Sequence, residues 1–265
     1  MHKVITSLQN AQVKNTVSLL HKSRERKEQG RLVAEGWREV GLAMRQGWKV
    51  ESLWYDPELT PAQQVDELAG STPLEIIACN RAVMEKIAYR TSVSNVVAII
   101  QQPGHLLENF QITQEALILV LEQVEKPGNL GAMLRTADGA GADAVLVCDP
   151  LVDLYNPNAV RASLGALFTV PVFAVTKENA LSRLRQTGCR VVATYINDRS
   201  IPYTAVDFRS ACAVVMGSES GGLGAFWVEQ ADDCVIIPMQ GQVDSLNVSA
   251  SAAVVLFEAN RQRLI

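Results

Sequence analysis

The stretch that decides the fold runs from residue 116 to residue 141 and reads ALILVLEQVEKPGNLGAMLRTADGAG. It opens with an unbroken apolar run of strand length, Ala116–Leu121, and the Pro127-Gly128 turn then separates this run from a helical pattern that begins at Asn129. The apolar residues of that pattern share one face at about 100° per residue. They are Leu130, Met133, Leu134, Ala137 and Ala140. The stretch therefore predicts a buried strand followed by an amphipathic helix.

The apolar stripe leaves Arg135 on the opposite side of the predicted helix, where it can meet water, a ligand or a partner. Two ordinary explanations stay open at this stage. Arg135 can be a surface arginine paired with Asp138 one turn later, and Asn129 can be a plain N-cap.

Strands and helices continue to alternate outward from this stretch to the C-terminus. The sequence predicts further strands at Ala144–Cys148, Thr169–Ala174, Val191–Thr194, Ala213–Met216 and Val235–Pro238, and further helices from Pro157, Asn179 and Ser245. Such alternation predicts an α/β fold with a largely parallel sheet covered on both faces. The last helix is apolar nearly all round over Val248–Phe257 and rich in small residues, so we expect it to be buried on several sides against a close neighbour.

The first hundred residues predict a smaller α/β domain. Predicted strands are Arg31–Ala34, Val50–Trp54, Glu75–Ala78 and Asn95–Ile100, and predicted helices are Trp37–Arg45, Pro61–Leu68, Arg81–Ile87 and one capped by Ser7. The run from Gln101 to His105 breaks the pattern, and polar residues follow. We therefore expect a domain at 1–104, a linker at 105–114 and a second domain at 115–265.

Composition and charge narrow the class of protein. The net charge is −4, yet residues 1–49 carry ten Lys and Arg against four Glu, a net of +6, which fits either a polyanion-binding face or a solvated helix surface. The five cysteines are widely spaced and form no C-x-x-C pair, which predicts buried reduced thiols. Apolar runs are too short to span a membrane, and the N-terminus lacks a signal-peptide pattern, so we expect a cytoplasmic protein.

Several reaction classes are disfavoured by residues that are missing. The three histidines, His2, His21 and His105, precede or begin the expected linker, so the second domain has none for a Ser–His hydrolase or a His-ligated metal. The glycine-rich run from Gly217 to Gly224 fits neither a phosphate-binding P-loop nor a nucleophile elbow. The chain also lacks the G-x-G-x-x-G of dinucleotide-binding proteins.

Two further segments carry polar residues directly after predicted strands. In the first, Ala213–Met216 leads into the glycine-rich run, where Glu219 brings a carboxylate; in the second, Val235–Pro238 leads through a polar loop to Ser245. Ligands of parallel sheets bind at the carboxyl ends of the strands, where glycines let them approach the backbone. A mere turn remains the alternative for the glycine-rich run.

Taken in order, the segments N-L-G-A-M-L-R-T-A, M-G-S-E-S-G-G-L and I-P-M-Q-G-Q-V-D-S-L-N-V-S resemble the three motifs of the SpoU-like branch of the SPOUT RNA methyltransferases. The segments I-T-S-L-Q-N-A-Q-V-K and V-A-E-G-W-R-E-V resemble that family's small α/β substrate-binding domain. The resemblance implies a catalytic domain whose parallel sheet contains a deep trefoil knot, an exception to the usual absence of knots. Where the family's second motif usually reads G-N-E-G, Ser218 and Ser220 replace the Asn and the last Gly.

The same resemblance implies a function. S-adenosylmethionine would be held by Thr194, Gly217, Ser218, Glu219, Ile237, Pro238, Ser245, Leu246 and Asn247. A homodimer with shared active sites would transfer the methyl group to a ribose 2′-hydroxyl in rRNA or tRNA, without a metal. The hydroxyl distinguishes RNA from DNA, and the basic N-terminal segment would supply phosphate contacts.

Within that chemistry, the resemblance points to Arg135, Asn129, Ser245, Asn247 and Glu219 as catalytic residues. We expect Arg135 to position the phosphate and the hydroxyl rather than to act as a base, because a guanidinium is essentially always protonated. Asn129 and Ser245 would orient the nucleophilic hydroxyl and Arg135, and Asn247 would fix the loop at the helix start. Glu219 would either face the cationic end of the cofactor or brace its own loop. A catalytically inactive RNA-binding protein and a nucleotide-dependent oxidoreductase are the rival hypotheses.

Overall fold

The computed structural model describes residues 2–89, 95–104, 106–243 and 245–264. Its contacts divide the chain into two compact units, one formed by Met1–Gly104 with Tyr155–Thr169 and the other by His105–Leu154 with Val170–Ile265. The sequence pattern assigned residues 155–169 to the second half. In the structure they belong to the first unit, because Trp48 donates a hydrogen bond of 3.1 Å to the carbonyl of Phe168 and Gly165 lies against Leu42.

The first unit contains a mixed five-stranded sheet with the order β1-β4-β3-β5-β2, in which β5 runs antiparallel to both of its neighbours. Its strands are β1 (Lys3–Ile5), β2 (Arg31–Glu35), β3 (Val50–Tyr55), β4 (Glu75–Cys79) and β5 (Val97–Gln101). Its helices are α1 (Ala11–His21), α2 (Ser23–Gln29), α3 (Trp37–Arg45), α4 (Ala62–Ala69), α5 (Arg81–Ile87), α7 (Pro157–Ala162) and α8 (Ala166–Thr169).

Two local predictions for this unit were incomplete or wrong. The cap of α1 is Asn10, whose Oδ1 accepts the Gln12 N–H at 2.8 Å, whereas Ser7 lies one turn earlier. Strand β1 was missed because it is three residues long and Val4, at its centre, is 71% exposed.

The basic N-terminal segment is less available than its charge suggests. Arg26 is buried and donates to the carbonyls of Leu19 and Leu20 at 2.6 and 3.2 Å, so it holds α1 and α2 together. The exposed cations of the segment include Lys14, Lys22, Arg24, Lys27, Arg38, Arg45 and Lys49.

The second unit contains a seven-stranded sheet with the order β10-β12-β9-β11-β6-β7-β8. All its neighbouring strands are parallel, which confirms the predicted parallel sheet. The strands are β6 (Leu117–Glu122), β7 (Ala144–Cys148), β8 (Val172–Val175), β9 (Arg190–Thr194), β10 (Ile201–Pro202), β11 (Cys212–Met216) and β12 (Asp233–Ile236). The helices are α6 (Pro127–Ala140), α9 (Lys177–Gln186), α10 (Ala225–Gln230) and α11 (Val248–Arg263).

Helix α11 packs along α6, as its small residues predicted. Asn260 donates a hydrogen bond of 2.8 Å to the carbonyl of Ala140, and the ring of Phe257 lies against Gly139. The expected burial on several sides was wrong within one chain, since Phe257 is 51% exposed and the buried side chains lie on one face. Both helices also start at other residues than expected. α6 starts at Pro127, so Asn129 lies in its first turn, and α11 starts at Val248 with Asn247 as its cap.

The predicted linker packs into the second unit where it is described. His105 lies outside the described residues, but Leu107 and Ile112 are buried in the core of that unit. The side chain of Arg183 donates a hydrogen bond of 2.7 Å to the carbonyl of Phe110. Residues 106–114 therefore contribute to the packing of the unit that follows them.

All five cysteines are buried, as predicted, and none forms a disulfide with another described residue. Burial raises the pKa of the thiols of Cys79 and Cys189 to about 12. None of the helices in the described part of the chain combines the length and the apolar character needed to cross a membrane.

Candidate active site

A cleft of about 390 Å³ opens in the second unit at the carboxyl ends of three strands. Thr194 ends β9, Met216 ends β11 and Ile236 ends β12, and these strands are neighbours in the sheet. The first turns of α11 form a further wall of the cleft, through Val248 and Ser251. The position agrees with the general preference of parallel sheets for ligands at the carboxyl ends of their strands.

The cleft brings together most, but not all, of the residues expected to hold a cofactor. Those that line it are Thr194, Gly217, Ser218, Ile237, Ser245 and Leu246. Three residues expected to hold the cofactor do not line the cleft, namely Glu219, Pro238 and Asn247. The expected catalytic residues Asn129 and Arg135 do not line it either. Asn247 instead caps α11, with its Oδ1 accepting the Ser249 N–H at 2.9 Å.

The glycine-rich loop, residues 217–224, forms one wall of the cleft and closes on itself. The backbones of Ser218 and Gly222 exchange hydrogen bonds of 2.9 and 3.1 Å, and the Ser218 hydroxyl accepts the Gly221 N–H at 3.0 Å. At Gly217, a Cβ would lie 2.2 Å from the carbonyl carbon of Gly222, so no larger residue fits. Ser218, which departs from the family pattern, therefore holds the turn by its own hydroxyl.

Glu219 braces the loop against α6. Its Oε1 accepts the side-chain amide of Asn129 at 2.7 Å, and its Oε2 accepts the backbone N–H of Glu125 at 3.2 Å. Burial raises the pKa of the Glu219 carboxyl, but hydrogen bonds from Asn129 and nearby backbone N–H groups, including that of Lys126, outweigh it and leave the pKa below its ordinary value. The carboxylate is therefore ionised at the N-terminus of α6, where a negative charge is favourable.

Two further contacts join the same loop to the last residue of β6 and to the segment that leads from it into α6. The Ser220 hydroxyl donates to the Glu125 carboxylate, and the Gly224 N–H donates to Oε2 of Glu122 at 2.7 Å. Glu122 is 5% exposed and is the last residue of β6. Sequence reasoning missed this residue, although a carboxylate at the end of an otherwise apolar strand is a signal of a specific partner.

Arg135 is exposed on α6, and its guanidinium makes no hydrogen bond or ion pair with any residue that the structure describes. The ordinary explanation, an ion pair with Asp138, is therefore not realised.

The sequence also missed several apolar residues of the cleft. Tyr195 and Ile196 follow β9, Met216 ends β11, and Leu223 and Met239 come from the two loops. Their signal was their position directly after strand ends, because the ends of neighbouring parallel strands meet at one edge.

The chemistry of the cleft suits an organic cofactor with an apolar ring and several polar groups. None of the described residues that line it is charged, so a ligand would meet apolar side chains, hydroxyls and backbone groups. Among the residues that the structure covers, no group of three or more His, Cys, Asp or Glu could hold a metal ion.

Comparison with known families assigns the chain. The sequence profile of the SpoU rRNA Methylase family matches residues 116–257, which is more than half of the chain. The chain belongs to the SpoU rRNA methylase family. This confirms the resemblance found in the sequence. Residues 10–98 match the MRM3-like substrate binding domain.

Individual SpoU relatives agree over most of their length. The chain is 36% identical to the 23S rRNA (guanosine-2'-O-)-methyltransferase RlmB of Burkholderia sp, covering 81% of this chain and 90% of the relative. It is 29% identical to the 23S rRNA (uridine(2479)-2'-O)-methyltransferase of Streptomyces viridochromogenes, covering 98% of this chain and 92% of the relative. The AdoMet-bound rRNA methyltransferase from Sinorhizobium meliloti superposes with a TM-score of 0.89 at 31% identity, covering 98% of this chain and 97% of that one.

Proposed function

We infer that the protein transfers a methyl group from S-adenosylmethionine to the ribose 2′-hydroxyl of a nucleotide in rRNA or tRNA. The observation that carries this inference is the cleft, which gathers residues of the second and third motifs and is joined to the first motif by the Glu219–Asn129 hydrogen bond. The predictions of the enzyme class and of the cofactor are confirmed by the family and its named relatives. Those relatives are named as methyltransferases, so nothing favours an inactive RNA-binding protein.

The residues present fit the cofactor. Leu223, Ile237 and Leu246 offer an apolar slot for the adenine, while Ser218 and Ser251 offer hydroxyls to its polar groups. When bound, S-adenosylmethionine supplies an activated methyl group on a sulfonium. Asn247 acts from behind the cleft, since it fixes the start of α11 and therefore the wall to which Leu246 belongs.

Arg135 positions the acceptor. Its guanidinium is exposed and uncommitted within the described chain, so it can hold the phosphate beside the target ribose and align the hydroxyl. A guanidinium is a positioning group rather than a base, so Arg135 aligns the hydroxyl while the departing proton is released to solvent. Asn129 and Ser245 orient the hydroxyl, and Glu219 keeps Asn129 in place.

The enzyme acts as a homodimer with active sites shared between copies. Support comes from exposed apolar side chains on the second unit, namely Val243, Phe257 and Leu264, which a monomer would leave in water. In a shared site, Arg135 of one copy would serve the cleft of the other, which accounts for its absence from the cleft lining within one chain.

The catalytic sheet contains a deep trefoil knot made by the C-terminal segment. Support comes from the strand order, in which β11 lies between β6 and β9, and from α11, which returns after β12 to pack along α6.

The first unit binds the RNA through its exposed cations, with Arg26 as a structural residue. Because the substrate is ribosomal or transfer RNA, we place the enzyme in the cytoplasm.

Methyl transfer is tested with purified protein, labelled S-adenosylmethionine and bulk rRNA or tRNA. We expect label in RNA and one phosphodiester that becomes resistant to alkali, because a 2′-O-methyl group removes the hydroxyl that alkaline cleavage requires. Label on a base, with every ribose unmodified, would contradict the proposed reaction.

Mixing two inactive variants tests the shared site. An Arg135→Ala chain and a Gly217→Val chain, unfolded together and refolded, should regain about a quarter of the wild-type activity through mixed dimers. Each mixed dimer would hold one site with an intact cleft and an intact arginine. If the site forms within one chain, the mixture stays inactive.

A further inference from the structure

The glycine-rich loop is held at two points, each by a hydrogen bond that involves a glutamate. Glu219, near the middle of the loop, reaches Asn129 on α6, whereas Glu122, on β6, accepts the N–H of Gly224 at the end of the loop. Four residues of the loop line the cleft: Gly217, Ser218, Gly222 and Leu223. The position of this wall therefore depends on Glu122, although Glu122 does not itself line the cleft.

The fit around Glu122 is close. The carboxylate is 5% exposed, and a Cβ on Gly224 would lie 3.1 and 3.2 Å from its two oxygens. Gly224 has a φ of −68°, which any residue can adopt, so its lack of a side chain is explained by the carboxylate rather than by backbone conformation. Burying a carboxylate costs free energy unless it is hydrogen-bonded. The Gly224–Glu122 hydrogen bond therefore favours the one position of the loop in which it can form.

We propose that Glu122 is a positioning residue for S-adenosylmethionine: it fixes the cofactor-facing wall of the cleft by accepting the Gly224 N–H. The inference rests on the proposed function, since it assumes that this cleft takes the cofactor. The Asn129 amide donates to Glu219, whereas Glu122 accepts the Gly224 N–H. Loss of the Glu122 carboxylate should therefore weaken cofactor binding while Asn129 stays in place.

Two variants of similar size distinguish the loss of the hydrogen-bond acceptor at position 122 from a change in side-chain volume. Glu122→Gln keeps an oxygen that can accept the Gly224 N–H, whereas Glu122→Met fills similar space without an acceptor. In calorimetry with S-adenosylmethionine alone, the Kd of Glu122→Gln should lie within about twofold of the wild-type value, and the Kd of Glu122→Met should be about tenfold higher. A tenfold change is the usual effect of leaving a buried N–H without an acceptor. With RNA at saturation, the KM for S-adenosylmethionine should rise in the same ratio, with kcat changed by less than about twofold.

A matched control comes from the first unit. Glu35 is also the buried last residue of a strand, and its carboxylate accepts the backbone N–H of Tyr89 at 2.9 Å. Glu35→Met should leave the Kd for S-adenosylmethionine unchanged. If Glu122→Met does not fold, Gly224→Ala decides, because its Cβ crowds the Glu122 oxygens and should weaken binding about threefold.

The outcomes separate the two claims. A wild-type protein that binds no S-adenosylmethionine would overturn the proposed function itself. Wild-type binding with an unchanged Kd in Glu122→Met, or equal weakening in Gln and Met, would overturn the role of Glu122 alone.

Discussion

The side-chain amide of Asn129 donates a hydrogen bond of 2.7 Å to Oε1 of Glu219, across 90 residues of sequence. One partner lies in the first turn of α6 and the other in the loop after β11, and strands β6 and β11 are adjacent and parallel. The hydrogen bond therefore connects the cleft wall with the helix that carries Arg135. Bracing of the loop was one of the two roles considered for Glu219, and this hydrogen bond is the contact that such bracing requires.

Glu219 should make stability depend on pH. Its pKa is lowered in the folded state, so the carboxylate stabilises the fold above the unfolded pKa of about 4.3, and this contribution is lost as the pH falls through the lowered value. Urea unfolding should show Glu219→Gln less stable than wild type at pH 7, with the difference shrinking towards pH 3. Glu229→Gln, at an exposed glutamate of α10, is the control and should show no such trend. A constant difference between wild type and Glu219→Gln would contradict the linkage.

Replacing Arg135 by Ala should reduce methyl transfer by about a hundredfold or more, because the acceptor loses its alignment. Binding of S-adenosylmethionine should be retained, since Arg135 does not line the cleft. Steady-state kinetics and calorimetry on the same preparation measure both quantities. Turnover at the wild-type rate would remove Arg135 from the mechanism.

Gly217→Ala should weaken S-adenosylmethionine binding by at least about tenfold, because its Cβ would lie 2.2 Å from the Gly222 carbonyl carbon and would force the loop open. Gly241→Ala is the matched control in the same unit, since a Cβ there meets no atom within 4 Å. The comparison is made by calorimetry. Similar affinities in the two variants would show that the loop tolerates a side chain.

Loss of the cap of α11 should lower the free energy of unfolding. Asn247→Ala removes the acceptor for the Ser249 N–H and should destabilise the protein by about 1 kcal/mol, as measured by denaturant unfolding. Asn10→Ala removes the corresponding cap of α1 in the first unit and should cost a similar amount. We expect cofactor affinity to fall with Asn247→Ala and to stay constant with Asn10→Ala.

The thiols should be unreactive in the folded protein. All five are buried, which keeps a reagent away from the sulfur atoms. Burial also raises the pKa of Cys79 and Cys189 to about 12, so these two carry little thiolate at pH 8. A thiol reagent should titrate none in the native state and all five in denaturant. Rapid reaction of a native thiol would show that its surroundings open readily.

Much of the second unit was predictable because its signals are local. The apolar run before Glu122 and the stripe on α6 predicted a buried strand and a helix, and the structure has both. Elements without such a signal were missed. They include β10, which has two residues, and α10, whose six residues follow a glycine-rich loop. Several helices start at residues other than the predicted ones, because the cap is set by the side chain that meets the free N–H groups of the first turn.

The sequence by itself determined the alternation of strands and helices, the three polar segments after strands and the family they resemble, because periodicity and motif spacing are properties of neighbouring residues. Only the tertiary structure decided which of those segments meet. Parallel pairing placed the ends of β9, β11 and β12 at one edge and brought Glu219 to Asn129 and Gly224 to Glu122. Contacts across about ninety or more residues depend on strand order, and strand order is set by the packing of the whole sheet rather than by any local pattern.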